Sequence, residues 1–446
     1  MTSSPNTDLK NFGIKTKEPK TKNLIFFVLY ISLVMVVYIL PSVKLIVPYI
    51  PAAVLMLAFF PIAMFKTQKY MNYCVLLIAT TVLYVFIYFI NGIGGVTDSI
   101  NEIIRSLRFF MPVLWALYAL NFCTPKQRRC ILIVFFIIAV FILIKTIIAL
   151  EKDVWISRIL AQDKTSDTSE IRAYRMGNVG GFEFSYMMGV VTICLAWAAL
   201  KCKNIWAKIF LIAGTVLCFY YIIQTMYMTL LILTSIGTIL LFIFNTKNAL
   251  AKILLIFGSI VIAFSLPAIC KYLSGVFTDS LLSTKFMQFY TAMTGGGTDS
   301  LGSRPELMSE AFYRWVKSPI WGGGNVSART HSFFFSALES TGLLGILMLI
   351  LCFRGTYKII LSELKSKQTE TLLFTIVFMY VIVLAVFNPV GYVFEVTIAA
   401  FFITPVWSEL FSKTALKENE KEKESAEERR VISDLERRVL KKNVMK

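Results

Sequence analysis

Residues 131–150 read ILIVFFIIAVFILIKTIIAL, with Lys145 the only charge. Twenty such residues coiled as a helix reach about 30 Å, the thickness of the hydrocarbon layer of a bilayer. The preceding residues Lys126, Arg128 and Arg129 are basic, whereas the stretch that follows, roughly 151–181, balances acids against bases. One end of this segment is therefore marked as cytoplasmic by the positive-inside rule.

Similar stretches recur along the chain, at approximately 24–40, 45–65, 73–90, 106–122, 131–150, 182–200, 209–223, 227–244, 253–267, 333–353, 371–387 and 391–410. Hydrophobic residues make up 57% of the 446-residue sequence against 16% charged, too apolar for a soluble globule. The expected fold class is all-α: a polytopic membrane protein of about 12 transmembrane helices with two large external loops, about 151–181 and 268–332. A cytoplasmic tail (1–23) would precede the membrane domain (24–410), and a charged cytoplasmic tail (411–446) with a weak helical stripe at Val431, Leu435 and Val439 would follow it.

The net charge of +18 would suggest a nucleic-acid partner in a soluble protein. Here the basic residues gather in alternate short connections, at Lys66/Lys69, Lys126/Arg128/Arg129, Lys201/Lys203/Lys208, Lys247/Lys252 and Arg354/Lys358/Lys365/Lys367. They are read as topology signals, and no nucleic acid is expected. An even number of spans puts both termini in the cytoplasm, in agreement with Lys10, Lys15, Lys17, Lys20 and Lys22 before the first span. The eight cysteines show no disulfide framework and no metal-ligand spacing.

The second large loop holds most of the chemistry. Ser303-x-x-Glu306 has the form of a capping box, predicting a helix that starts at Arg304 and is ended by Ser318-Pro319. Leu307, Met308, Ala311, Phe312 and Trp315 form its apolar face, so it would lie on the outer membrane surface. Arg304 at that helix N-terminus can hold an anionic group such as a diphosphate, or it can simply snorkel or pair with a carboxylate. Arg314, one turn after Glu310, reads first as an intrahelical ion pair.

Trp321-Gly322-Gly323-Gly324-Asn325 lets backbone bend and approach a ligand closely. Arg329 adds a further basic candidate for substrate contact. His331 is the single histidine of the chain and stands at the lip of a span. It can act as a general base toward a sugar hydroxyl, or anchor a helix end at the interface. Glu339 falls two turns into that span and needs a partner or a water-filled cavity, as an ion pair or a catalytic carboxylate. Gly342 and Gly345 read as close helix packing.

This run resembles the O-antigen ligase and O-unit polymerase superfamily of bacterial envelope glycosyltransferases. The resemblance rests on Arg304, Trp315, Ser318-Pro319-Ile320-Trp321-Gly322-Gly323-Gly324, His331-Ser332 and Gly342-Leu343-Leu344-Gly345, about 45 residues. Members move a glycan from an undecaprenyl diphosphate carrier to an acceptor hydroxyl at the outer face of the bacterial inner (cytoplasmic) membrane. The resemblance thus implies an undecaprenyl-diphosphate-linked oligosaccharide donor, a glycan acceptor, membrane lipids and a chain-length regulator protein as partners, with no metal and no cofactor. It implies His331 as base and arginines, Arg304 among them, on the diphosphate; read from the residues alone, Glu339 joins the catalytic candidates and Arg314 the diphosphate-binding ones.

The family often has an arginine shortly before a glycine in the first large loop, and Arg175-Met176-Gly177 matches loosely, with Arg172 as the alternate. Both can instead balance Asp163, Asp167 and Glu170 in a solvated loop. An arginine common among relatives at the turn after that loop is replaced here by Gln224-Thr225-Met226-Tyr227, leaving Arg172, Arg175 or Lys145 to substitute. Polymerisation of repeat units into O-antigen or capsule is the leading expectation. Ligation of the finished glycan to a lipid or protein acceptor is the alternative, and a polysaccharide or lipid-linked oligosaccharide transporter the more distant one.

Overall fold

The computed structural model describes residues 21–47, 49–58, 67–91, 96–153, 155–156, 159–160, 169–225, 227–278, 281–294, 299–323, 332–364, 368–388 and 393–411, with the side chains of 21–23, 49–50, 53, 57, 96–107, 263, 281–282, 285, 292, 299–306 and 368–369 outside that description. Among the described residues the chain is all-helical and has no strand. This is a polytopic membrane protein: eight helices are long and apolar enough to cross a bilayer.

The order is α1 (Thr21–Ile39), α2 (Pro41–Ile46), α3 (Tyr49–Leu57), α4 (Gln68–Ile90), α5 (Val96–Phe122), α6 (Pro125–Lys152), α7 (Ser169–Met176) and α8 (Phe182–Lys201). Then come α9 (Ile205–Thr225), α10 (Met228–Asn245), α11 (Ala249–Val276), α12 (Leu281–Met293), α13 (Asp299–Lys317), α14 (Phe333–Glu363) and α15 (Gln368–Phe387). The last helix, α16, starts as Phe394–Thr397, passes through a π-helical stretch at Ile398–Ile403 and runs on to Phe411.

The eight spans are α4, α6, α8, α9, α10, α14, α15 and α16, and α11 becomes a ninth if its two halves count as one. Those halves meet at 51° between Ile262 and Phe264. Pro267 is the physical cause, since it removes the hydrogen bond to the carbonyl four residues earlier and its ring pushes against that carbonyl. The other expected spans are helical in whole or part. α1 carries a shorter apolar run, Leu24–Ile39, and 45–65 opens as the short helices α2 and α3. The 106–122 span is the second half of α5, whose first half bears Asp98, Glu102 and Arg105.

Burial sorts the spans. In α8 and α16, 83% and 89% of the apolar stretch is inside the protein, against 17% in α9 and 28% in α10. Yet α8 and α16 are the least apolar of the eight, as expected where interior helices pack on each other and peripheral ones meet lipid. α8 packs against α9, α10, α15 and α16, with Ser185 Oγ and Tyr221 Oη 2.8 Å apart and Tyr380 Oη donating to the Tyr186 carbonyl. α6 begins at a full capping box, Thr124 with Gln127, and Pro125 occupies the first position, where no N–H is needed. Arg128 turns back to cap α5, donating to the carbonyls of Leu120 and Cys123.

α13 starts at Asp299, one turn before the expected Arg304, and ends as expected before Ser318-Pro319. Ser303 thus lies inside the helix and not at its start. Arg304 therefore sits in the second turn, away from the free N–H groups of the N-terminus.

α14 is broken at Gly342, whose φ is +65°. The turn after α13 fills the break. Pro319 and Ile320 carbonyls accept from Leu343 N–H (2.9 Å) and Leu344 N–H (3.3 Å), while Gly323 N–H donates to the Glu339 carbonyl (2.8 Å). Groups that would be orphaned in hydrocarbon are thus satisfied by a turn folded into the helix. Gly322 (φ +74°) and Gly342 lie back to back: a Cβ on Gly342 would stand 2.4 Å from the Ile320 oxygen, and one on Gly322 2.5 Å from the Ser340 carbonyl carbon. The glycine loop approaches a helix backbone here.

Gly342→Ala is expected to destabilise the purified protein by roughly 2–5 kcal/mol, from left-handed strain plus overpacking. Gly258→Ala, where an added Cβ meets nothing within 4 Å, should stay within about 1 kcal/mol of wild type. Thermal unfolding in detergent, following the two variants side by side, checks both.

Candidate functional site

A cavity of about 470 Å³, within the range of small-ligand sites, opens among α1, α2, α5, α7, α8 and α16. Its charged lining residues are Lys44, Arg108, Arg175, Glu183 and Glu395, three cations and two anions, one net positive charge. Lys44, Arg175, Glu183 and Glu395 stand near helix ends, whereas Arg108 projects from the middle of α5.

Local folding sets each of them. α7 closes with paired bonds, Val179 N–H to the Tyr174 carbonyl and Asn178 N–H to the Arg175 carbonyl, both 3.0 Å, with Asn178 at φ +60°. This is a Schellman-type stop with asparagine in the position usually taken by glycine. The Asn178 side chain accepts from Ser42 N–H (3.1 Å) and Ser42 Oγ (2.7 Å) at the start of α2. That clamp brings Arg175 in the last turn of α7 to the same cavity as Lys44 on α2. Arg108 is fixed from two sides: its carbonyl accepts from Thr397 Oγ1 at 3.0 Å, and its guanidinium lies 5.7 Å from the Tyr38 ring centre.

Glu183 and Glu395 occupy the first turns of α8 and α16, where a carboxylate interacts favourably with the helix dipole. Lys44 Nζ donates to both, to Glu395 Oε1 at 2.7 Å and to Glu183 Oε2. Burial works against the Lys44 charge, but the two carboxylates outweigh it and hold the ammonium above the ordinary lysine range. Its contribution is present at every pH below that range and fades only as pH climbs through the raised value.

A second polar group lies where α13 packs on α14. Arg314 Nε is 2.6 Å from Glu339 Oε1 and Arg314 Nη1 is 3.7 Å from Glu310 Oε2. The expected intrahelical pair is present, but the shorter contact joins two helices. Glu339 is fully buried, and neither of its oxygens makes a hydrogen bond of good angle, so this is an ionic contact. Around it, Trp315 Nε1 donates to the Pro319 carbonyl, the Trp321 ring meets Phe86 edge-on at 6.3 Å, and Ser332 caps α14 while donating to the Val386 carbonyl.

Of the residues singled out by sequence, Arg175 lines the cavity, whereas Arg172 on the same helix is exposed and not part of its lining. Lys145 is exposed on α6, 6.0 Å from the Phe141 ring centre, as a snorkelling lysine would be. Arg314, Glu339, Trp321 and Gly323 gather at the break in α14. His331 and Arg329 lie outside the described residues, as does the Arg304 side chain. Among the described residues no group of three or more His, Cys, Asp or Glu side chains is placed to hold a metal ion.

Sequence reading missed Lys44, Arg108, Glu183 and Glu395. The available signal was positional: each is a charge within a few residues of the edge of an apolar run, on the side where basic connections are absent.

Arg314→Met leaves a buried carboxylate without its cation and should cost about 3–5 kcal/mol of stability. The double variant Arg314→Met/Glu339→Gln should recover most of that loss, and a double-mutant cycle on thermal or denaturant unfolding gives the coupling. No protein-family model matches this chain, and no curated protein matches it at a significant level.

Proposed function

We propose that this chain is a metal-independent membrane glycosyltransferase. It polymerises undecaprenyl-diphosphate-linked oligosaccharide repeat units into a surface polysaccharide, O-antigen or capsule, at the outer face of the bacterial inner membrane. The observation that carries the reading is the cavity where Lys44, Arg108 and Arg175 converge beside the apolar side chains of α1 and α8. A diphosphate on a lipid needs such a place: cations at the depth of the headgroups, beside greasy surfaces for the chain. Guanidinium forks suit phosphate oxygens because they offer paired donors. In the arrangement of 12 spans with both termini cytoplasmic, this end of the bundle faces outward.

The chemistry asks little else. The acceptor hydroxyl attacks the anomeric carbon of the donor glycan, the bond from that carbon to the diphosphate oxygen breaks, and the electron pair leaves with the lipid diphosphate. Positive charge at the cavity stabilises the charge that develops on the departing oxygen. The hydroxyl proton passes to a base, the role assigned by resemblance to His331. The glycine turn folded into α14 is a rigid anchor for the chain leading to His331, since Gly323 and Ser332 are each tied to a helix or its flank.

In a deletion strain complemented with variants, Arg175→Ala and Arg108→Ala are each expected to abolish the polymer ladder, as is His331→Ala. Arg172→Ala and Lys145→Ala should keep it. A glycan ladder gel reads the result, with membrane levels of each variant measured alongside. Single-unit product in the deletion strain supports polymerisation; carrier-linked polymer accumulating there means ligation. A normal ladder from well-inserted Arg175→Ala and Arg108→Ala proteins overturns the assignment.

A further inference from the structure

The cavity holds two carboxylates that a site for a bare lipid diphosphate does not need. Negative charge beside a phosphate weakens its binding, so Glu183 and Glu395 call for a reason. Their settings differ: the Glu395 side chain is 6% exposed, that of Glu183 28%, and Lys44 between them 39%. A buried carboxylate stripped of its cation is strongly penalised, whereas one that solvent or a ligand hydroxyl can reach is penalised less. Lys44 is thus bound to stay with Glu395, while its contact with Glu183 can be given up.

We infer that Glu183 is the exchangeable carboxylate of the cavity, a receptor for hydroxyl groups of the sugar attached to the diphosphate, with Lys44 as the pivot that releases it. The inference rests on the lipid-diphosphate reading above and specifies how the site tells a glycosylated carrier from a spent one. When a diphosphate enters, Lys44 turns its remaining N–H groups to phosphate oxygen while keeping Glu395. Glu183, at the first turn of α8 and lining the same cavity, then accepts from hydroxyls of the adjoining sugar. An ionised carboxylate is acceptor-only and makes strong bonds with such donors. After transfer the carrier no longer has those hydroxyls, the Lys44–Glu183 contact reforms, and the bare carrier is held more weakly.

The test uses the full chain in lipid nanodiscs and two probes, undecaprenyl diphosphate and an undecaprenyl-diphosphate-linked monosaccharide. Wild type is expected to bind the glycosylated probe at least tenfold more tightly. Glu183→Ala should weaken that probe by about tenfold to a hundredfold and bind the bare probe as well as wild type or better, because a negative charge has gone. Glu183→Gln, which keeps the shape, is measured in the same way should the alanine variant fail to give monodisperse protein, and it should also lose selectivity without losing the bare probe. Equal weakening of both probes makes Glu183 a structural residue and overturns the inference. So does a wild type that binds both probes alike, although the lipid-diphosphate reading then stands. A wild type that binds neither probe removes that reading and this inference together.

Discussion

In hydrocarbon no water is available to answer a backbone group or a charge, so whatever is broken or ionised must be satisfied by the protein itself. One place in this chain faces that demand within a span, and a second meets a weaker form of it at the edge of the bundle. At Gly342 a helix is interrupted, and a turn from the preceding segment supplies acceptors to Leu343 and Leu344 and a donor to the Glu339 carbonyl. At Lys44 one ammonium serves the first turns of two helices that are far apart in sequence. The rest of the bundle is compatible with many arrangements of greasy helices. These two solutions restrict which helices can be neighbours at this end and at what depth.

The fold class was legible because a 20-residue apolar run such as 131–150 has few alternatives as a structure. Burial was not. Hydrophobicity marks the segments that enter the membrane, and although α8 and α16 are the least apolar of them, the gap between central α8 and peripheral α9 is small. Hydroxyl-bearing residues such as Ser185 in α8 do carry that information, through hydrogen bonds to other helices that only packing reveals. The start of α13 shows a related limit: a capping-box pattern at Ser303 does not fix where the helix begins.

At the candidate site, sequence spacing found residues that are close along the chain and missed those brought together by topology. Glu310, Arg314 and Glu339 were visible because two lie one turn apart and the third interrupts an apolar run. Arg175 was visible as a basic residue before a glycine, but nothing in its own segment distinguished it from Arg172. The distinction comes from Asn178, whose side chain reaches across 136 residues of sequence to Ser42. That clamp unites Lys44 and Arg175, and no local pattern announces it.

The π-helical stretch at Ile398–Ile403 divides α16 into two helical parts whose side-chain registers are offset. A π turn holds one residue more than an α turn, and each residue rotates a helix by about 100°. The part after the stretch can settle Trp407 and Leu410 into the bundle by its own packing rules, while the part before it aims Glu395 at Lys44. The extra residue thus acts as a phase adjuster. It lets one continuous helix obey two independent orientations, one set by the apolar interior and one by the charged cavity, with neither compromised by the other.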